Sequence, residues 1–148
     1  MHDYLTKQVK VTTAITQAEG VAATSDINGA ILDMTGFDAV LMAVRFGAIT
    51  ATAVTSIKAQ QGAASDMTDA ADLAGTGQTV AVADALEMFV IDLMRPREQY
   101  VRVVVDRGTA NAVIEDAWYL QYRAKALPTT QGSGINAEQH LAVTEGTA

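Results

Sequence analysis

Apolar residues that recur at alternate positions are the feature of this sequence that most restricts its fold. Segment 39–46 (AVLMAVRF) is apolar at almost every position, which is typical of a strand buried on both faces. Segments 86–94 (LEMFVIDLM), 99–106 (QYVRVVVD) and 112–123 (AVIEDAWYLQYR) repeat their apolar residues with a period close to two. Because an amphipathic helix needs a period near 3.6, these segments predict β-strands rather than helices.

The phase of each alternation predicts which side chains form the core. In segments 86–94 and 99–106, the predicted core residues are the alternate apolar ones, Phe89, Ile91, Leu93, Val101, Val103 and Val105. In segment 112–123, the same rule places one set of large side chains inside: Ile114, Trp118, Leu120 and Tyr122. Tyr119 and Gln121 then face outwards. We therefore expect Trp118 to pack in the core.

The rest of the chain adds weaker strand patterns separated by turn residues. These weaker patterns lie in segments 8–15, 30–34, 50–60 and 79–82. Glycine or proline separates most of the predicted strands. About eight short strands at this spacing predict an all-β fold, a β-sandwich of jelly-roll-like architecture with extended N- and C-terminal arms. Segment 65–73 lacks the alternation and predicts a short helical turn or a structured loop.

The two ends lie outside the strand pattern, so the sequence predicts three regions. Residues 1–25 form an N-terminal arm and the first strand, residues 26–123 form the β-sandwich core, and residues 124–148 form a C-terminal arm. The C-terminal arm contains Pro128 and several glycines and has little periodicity. Two placements remain open for it: it folds back on its own sheet, or it lies along a neighbouring subunit.

Composition disfavours several classes of function. The chain has 148 residues, of which 17 are acidic and 10 are Lys or Arg, so its formal net charge is −7. This negative balance disfavours nucleic acid and anionic lipid surfaces as partners. Because the chain has no cysteine, Cys-ligated zinc, a thiol nucleophile and disulfides are excluded. No apolar run reaches the roughly 18 residues of a membrane span, so we expect a protein without membrane contact, made in the cytoplasm.

Few residues suit catalysis or metal binding. The two histidines, His2 and His140, lie near the chain ends, which disfavours a histidine metal site inside the sandwich. Asp66, Asp69 and Asp72 are spaced three apart but lack the spacing and the glycine of an EF-hand loop. We expect these carboxylates to cap a turn or to remain hydrated. The sequence predicts no catalytic residues, no cofactor and no metal.

The arginines are the most informative polar residues. Arg95, Arg97, Arg102 and Arg107 fall within thirteen residues, around one predicted turn. A planar guanidinium suits carboxylates held at an interface, so the group as a whole favours an acidic partner surface. The alternative is that each arginine is hydrated or paired with an acid of its own chain. Three residues of the C-terminal arm complete the predicted interface: Pro128, Gln131 and His140.

Six short segments within residues 26–148 have a familiar sequence: 37–41 (FDAVL), 66–76 (DMTDAADLAGT), 95–102 (RPREQYVR), 108–113 (GTANAV), 127–131 (LPTTQ) and 145–148 (EGTA). Together these segments resemble small head proteins of tailed bacteriophages and prophages, of the decoration or cement type. They include no catalytic signature, and residues 1–25 carry none of them.

The resemblance implies a jelly-roll β-sandwich on the exterior of an icosahedral capsid. Its expected partners are the major capsid protein and further copies of itself, with a trimer favoured over a dimer, and it implies no enzymatic activity. The expected location is therefore the virion. Two alternatives remain: a structural protein of the neck or tail, or a carbohydrate-binding module on a virion surface that stacks sugars on Trp118.

Overall fold

The computed structural model describes residues 4–141 and 144–146. The chain forms ten β-strands, which run over Lys10–Ile15 (β1), Ile27–Asn28 (β2), Leu32–Asp33 (β3), Phe37–Ile49 (β4), Val54–Gly62 (β5), Ala71–Asp72 (β6), Gln78–Val80 (β7), Met88–Met94 (β8), Tyr100–Gly108 (β9) and Ala112–Ala124 (β10). Two short 3-10 helices lie at Leu5–Lys7 and Val82–Asp84. Within the described ranges, no helix has the length and apolar character needed to cross a membrane.

The strands form two antiparallel sheets. Sheet A has the order β1-β10-β4-β8. In sheet B, the central strands β9 and β5 pair with each other; β2 and β3 lie end to end along β9, and β6 and β7 lie end to end along β5. Counting each end-to-end pair as one interrupted strand gives eight positions, with orders 1-8-3-6 and 2-7-4-5. This arrangement is a jelly roll, and the predicted all-β sandwich is confirmed.

The core lies between the two sheets and is built from alternate residues of the long strands. Val40, Met42, Val44 and Phe46 of β4 are fully buried. Phe46 meets Phe89 of β8 edge to face, with ring centroids 5.6 Å apart. On β9, Val101, Val103 and Val105 point inwards and are also fully buried, as their alternation predicts. Valine-rich strands suit this position because β-branched side chains pack well on a pleated surface.

The predicted orientation of β10 is wrong beyond Ile114. Ile114 pairs with Phe46 and Asp116 pairs with Arg45, so β10 has two residues where β4 has one. This β-bulge moves every following side chain to the opposite face of the sheet. Tyr119 and Gln121 therefore lie in the core, each fully buried. Trp118, Leu120 and Tyr122 lie on the outer face of sheet A and are only partly buried.

Two polar side chains of β10 cross the core and join the sheets. The Tyr119 hydroxyl accepts a hydrogen bond from the Val103 N–H (3.0 Å) and donates one to the Ala30 carbonyl (2.8 Å). It thereby bridges the gap between β2 and β3, where β9 has no strand partner on that side. The Gln121 amide donates to the Asp33 carbonyl at 2.8 Å. The two bonds of Tyr119 satisfy backbone groups at the interruption of the edge strand, and the bond of Gln121 ties the core side of β10 to β3.

Segment 65–73 is a structured loop that ends in the short strand β6. The Asp69 carboxylate accepts hydrogen bonds from the Ala63 and Ala64 N–H groups, at 2.9 and 3.2 Å. Asp66 accepts from Thr68, which lowers the pKa of Asp66. The carboxylates spaced three apart in sequence therefore hold different parts of the loop and do not converge on one point.

Candidate functional site

The outer face of sheet B is polar and its side chains bond to one another. Lys58 on β5 lies 3.0 Å from Asp72 and 3.3 Å from Asp106. Gln60 donates to Asp72 at 2.7 Å and accepts from Arg102 at 2.9 Å. Hydrogen bonds from Gln60 and Lys58 lower the pKa of Asp72. This surface is typical of a sheet face that contacts water.

The outer face of sheet A is apolar. Strand register places its side chains in rows across the sheet. One row is Trp118, Ala43 and Val90, and the next is Val11, Leu120 and Leu41, which ends at Asp92 on the edge strand. Met88 and Met94 lie at the two ends of β8 on the same side. We call the following residues the apolar face: Val11, Leu41, Met88, Val90, Met94, Trp118 and Leu120.

Large side chains of the apolar face are exposed. The exposed fractions are 50% for Met94, 46% for Met88 and 41% for Val90. Two open grooves of about 930 Å³ and 620 Å³ meet at Leu120. A contiguous apolar surface of this kind on a single chain marks an interaction site, whereas scattered single apolar residues do not.

Several polar side chains on this side of the molecule bond to one another within the chain. The Arg45 guanidinium lies 2.6 Å from the Glu115 carboxylate, so these two charges compensate each other. The Tyr122 hydroxyl donates to Asp92 at 2.7 Å and satisfies the carboxylate without neutralising it. The apolar face is therefore bordered by one ion pair and by the carboxylates of Asp92 and Asp116, which suit polar contacts at the rim of an interface.

The bond between Tyr122 and Asp92 allows a test of this geometry. The hydrogen bond to Asp92 raises the pKa of Tyr122. A raised pKa in the folded state favours folding while the phenol keeps its proton, and this contribution disappears as the pH rises through the folded-state pKa. We expect Asp92→Asn to lower the pKa of Tyr122, measured by the NMR titration of its ring. Asp106→Asn on sheet B is the matched control, and equal effects of both variants would contradict the geometry.

The structure separates the four arginines of the predicted interface. Arg95 and Arg97 lie exposed at the turn between β8 and β9, where they line a polar cleft of about 380 Å³ together with Lys125. Arg102 lies on the outer face of sheet B and donates to Gln60. Only Arg95 and Arg97 therefore share one surface.

Arg107 lies inside the chain, with 6% of its surface exposed. Its guanidinium donates to the carbonyls of Ser25 (2.6 Å), Val21 (2.8 Å) and Ala112 (2.9 Å). Its backbone N–H donates to the Asp26 carboxylate at 2.8 Å. Arg107 therefore anchors the loop that precedes β2, and its donors face its own chain rather than the surface predicted from sequence.

The three predicted interface residues of the C-terminal arm lie on one side of the sandwich. Pro128 is exposed, and Gln131 lies against the outer edge of β1, where it bonds to backbone groups of residues 6–11. His140 is exposed, with its ring Nε2 3.2 Å from the Glu138 carboxylate. Of the two placements considered for the C-terminal arm, its own sheet or a neighbouring subunit, residues 129–139 adopt the first and lie along their own sheet.

The residues of the apolar face were absent from the predicted interface. A usable signal existed, because segments 39–46 and 86–94 are apolar on both faces, and only one face of an outer layer can contact the core. Trp118 and Leu120 could not be included, because the bulge at residues 114–116 reverses their side.

The described part of the chain contains no cluster of three or more His, Asp or Glu side chains placed to hold a metal ion. A scan against protein-family models finds no matching family, and searches of curated proteins and of solved structures find no match.

Proposed function

We propose that this protein is a structural component of a tailed-phage head, a decoration protein that binds the outer surface of the major capsid protein shell and stabilises it. The observation that carries the proposal is the contrast between the two outer faces, apolar on sheet A and polar on sheet B. A β-sandwich with this contrast is suited to lie with one face on a protein surface and the other in water. The proposal includes no catalytic activity, cofactor or nucleic-acid partner.

The energetics suit a protein bound in many copies. Burying apolar surface is worth about 25 cal/mol per Å² before the costs of association. A single contact through the apolar face is therefore modest, but many copies linked on one shell gain from effective concentration. A ligand that binds only the folded, assembled shell raises the stability of that shell by mass action.

Introducing positive charge on the apolar face tests the proposal. We expect the double variant Val90→Lys/Met94→Lys to bind shells that lack this protein at least tenfold more weakly than the parent, because burying two ammonium groups is costly. Both side chains are exposed, so the free energy of unfolding should change by less than about 0.5 kcal/mol. Co-sedimentation with shells measures binding, and urea unfolding measures stability.

Thr79→Lys is the matched control, because Thr79 is exposed on β7 in sheet B. It adds one lysine, against two in the double variant, on the opposite side of the sandwich and should bind like the parent. Equal binding by the double variant and the parent would exclude the apolar face as the contact surface. Failure of the parent protein to bind shells at all would contradict the decoration role, and electron micrographs showing it at the neck or tail would reassign it there.

The proposal also includes self-association on the shell, where a trimer is favoured over a dimer. Shell lattices offer both threefold and twofold positions, so the symmetry of the site selects the oligomer. Light scattering of the free protein and imaging of the decorated particle measure the two states separately.

One observation favours carbohydrate binding as a second candidate function. Trp118 lies on the surface in the larger groove, together with Thr13, Gln17 and Asp116, so an aromatic ring stands beside polar groups. Stacking on a sugar needs this combination. Glycan-array binding that Trp118→Ala abolishes, with folding unchanged, would support the second function. Protein docking is favoured because Met88, Val90 and Met94 extend the exposed apolar surface along β8, outside the groove that contains Trp118.

A further inference from the structure

Strand β1 is the edge of sheet A, and its outer side is occupied by a segment that is not a strand. On its inner side, β1 pairs with β10. On its outer side, the Val9 C=O and the N–H and C=O groups of Val11 point away from the sheet, where an unpaired edge would accept another strand. Residues 129–139 of the C-terminal arm lie along this outer edge.

The Gln131 side chain bonds to β1 as the backbone of a neighbouring strand would. Its amide nitrogen donates to the Val9 carbonyl at 2.8 Å, and its amide oxygen accepts from the Val11 N–H at 2.9 Å. The same nitrogen lies 2.7 Å from the Thr6 carbonyl. One side chain therefore supplies both a donor and an acceptor to the exposed edge of β1.

Backbone bonds continue this pairing on both sides of Gln131. The Thr129 N–H donates to the Lys7 carbonyl at 2.8 Å, and the Gly132 N–H donates to the Val11 carbonyl at 3.1 Å. Gly132 is needed here, because a Cβ at this position would lie 2.6 Å from the Val11 carbonyl oxygen. The edge of β1 is thus specific for this segment in sequence and spacing.

The attachment of the arm is polar and shallow. The connecting residues 125–128 are all exposed, with Leu127 at 59%. No residue of segment 129–139 is fully buried, and its side-chain bonds to residues 6–11 are only partly buried, so local opening costs much less than global unfolding. Every contact of the arm can be remade with an identical edge on another molecule, because exchange between copies needs no new interface.

We propose that the outer edge of β1 is a binding site for the C-terminal arm of a second copy of this chain, so that neighbouring copies exchange residues 129–139. Within one chain, the connecting residues keep the arm at a high effective concentration, and the arm closes on its own β1. Between copies held close together, the same bonds form across the molecules, as in β-strand addition. This proposal concerns contacts between copies and does not depend on binding to a shell.

Single-cysteine variants test the exchange directly, because the parent chain has no cysteine. The Gln139 amide nitrogen lies 3.0 Å from the Thr6 hydroxyl, so Thr6→Cys and Gln139→Cys place one thiol on each side of the contact. The two purified variants are mixed at high concentration, incubated in urea below the unfolding transition, returned to buffer and treated with a short bismaleimide. Mass spectrometry then counts covalent heterodimers.

We expect the mixture of Thr6→Cys and Gln139→Cys to give at least ten times more heterodimer than a mixture of Thr79→Cys and Gln139→Cys. Adding Gln131→Ala to the Gln139→Cys chain should reduce the yield severalfold, whereas Thr130→Ala, at an exposed neighbouring position, should not. Equal yields from both mixtures would overturn the proposal, and crosslinking confined to single chains of the double variant Thr6→Cys/Gln139→Cys would do the same.

Discussion

Replacing Tyr119 with phenylalanine is expected to lower the free energy of unfolding by about 3 kcal/mol, although only one oxygen atom is removed. The Tyr119 hydroxyl is the hydrogen-bond partner of the Val103 N–H and of the Ala30 carbonyl. Phenylalanine leaves the buried Val103 N–H without a partner and removes the partly buried donor to the Ala30 carbonyl, and the loss of a partner to a buried group costs about 1–3 kcal/mol. For a domain of this size, the midpoint of thermal unfolding should fall by roughly 10 °C.

Tyr122→Phe is the matched control for this variant. It removes the same atom from the same strand, but Tyr122 lies on the outer face and bonds to the exposed Asp92. We expect a change below about 1 kcal/mol, since water can replace that bond. Urea unfolding monitored by circular dichroism measures both variants. A Tyr119→Phe protein as stable as Tyr122→Phe would show that the hydroxyl does not hold the gap between β2 and β3.

Replacing Arg107 with methionine is expected to cost about 3 kcal/mol. The substitution keeps an unbranched apolar stem but removes three hydrogen bonds from a charged donor, each worth about 1.5–3 kcal/mol when fully buried. The sum is reduced because Val21 and Ser25 lie in an exposed loop whose carbonyls can bind water. Arg107→Lys should recover only part of the loss, because an ammonium group cannot reproduce the planar arrangement of donors.

Arg102→Met is the control within the same strand. Arg102 makes one side-chain hydrogen bond, to Gln60 on the outer face of sheet B, so we expect a loss below about 1 kcal/mol. The measurement is again urea unfolding, supplemented by hydrogen exchange of residues 20–26. Equal stability of Arg102→Met and Arg107→Met would contradict an anchoring role for Arg107. In that case the interface role predicted from sequence would regain support.

The long strands could be predicted because a strand with a buried face needs apolar residues at every second position of its sequence. Strands β4, β8 and β9 lie where this alternation indicates, and the inward sets Phe89–Ile91–Leu93 and Val101–Val103–Val105 are as predicted. The two-residue strands β2 and β6 are too short to carry a period. They form because the backbone of the neighbouring strand offers hydrogen bonds, which depends on tertiary structure rather than on their own residues.

The face of β10 could not be predicted, because a bulge adds one residue without changing the apolar content of the segment. From the alternation alone, a reasonable set of core residues is Ile114, Trp118, Leu120 and Tyr122. The set that the fold uses, with Tyr119 and Gln121 inside, contains polar groups whose partners lie on another sheet. Those partners become visible only when the two sheets are brought together.

The candidate site shows the same limit. Arg107 looks like the other arginines in sequence, yet it bonds to two carbonyls of the distant segment 21–25 and to the nearby carbonyl of Ala112. The residues around Gln131 in sequence do not indicate its role either, since that role depends on how the C-terminal arm aligns with β1. The sequence thus shows which chemical groups each residue carries. Whether a given residue lies on the surface or in the interior depends on the fold.

The contrast between the two sheets gives the molecule a defined upper and lower side. If sheet A lies on a support, the turn at Gly75 and Gly77 between β6 and β7 belongs to the other sheet, and a side chain added at either glycine would meet no atom within 4 Å. Gly75 also has a positive φ of 80°, as a tight turn requires. A foreign peptide inserted at this turn should therefore be accessible to antibodies on every copy, which makes the fold suitable for antigen display.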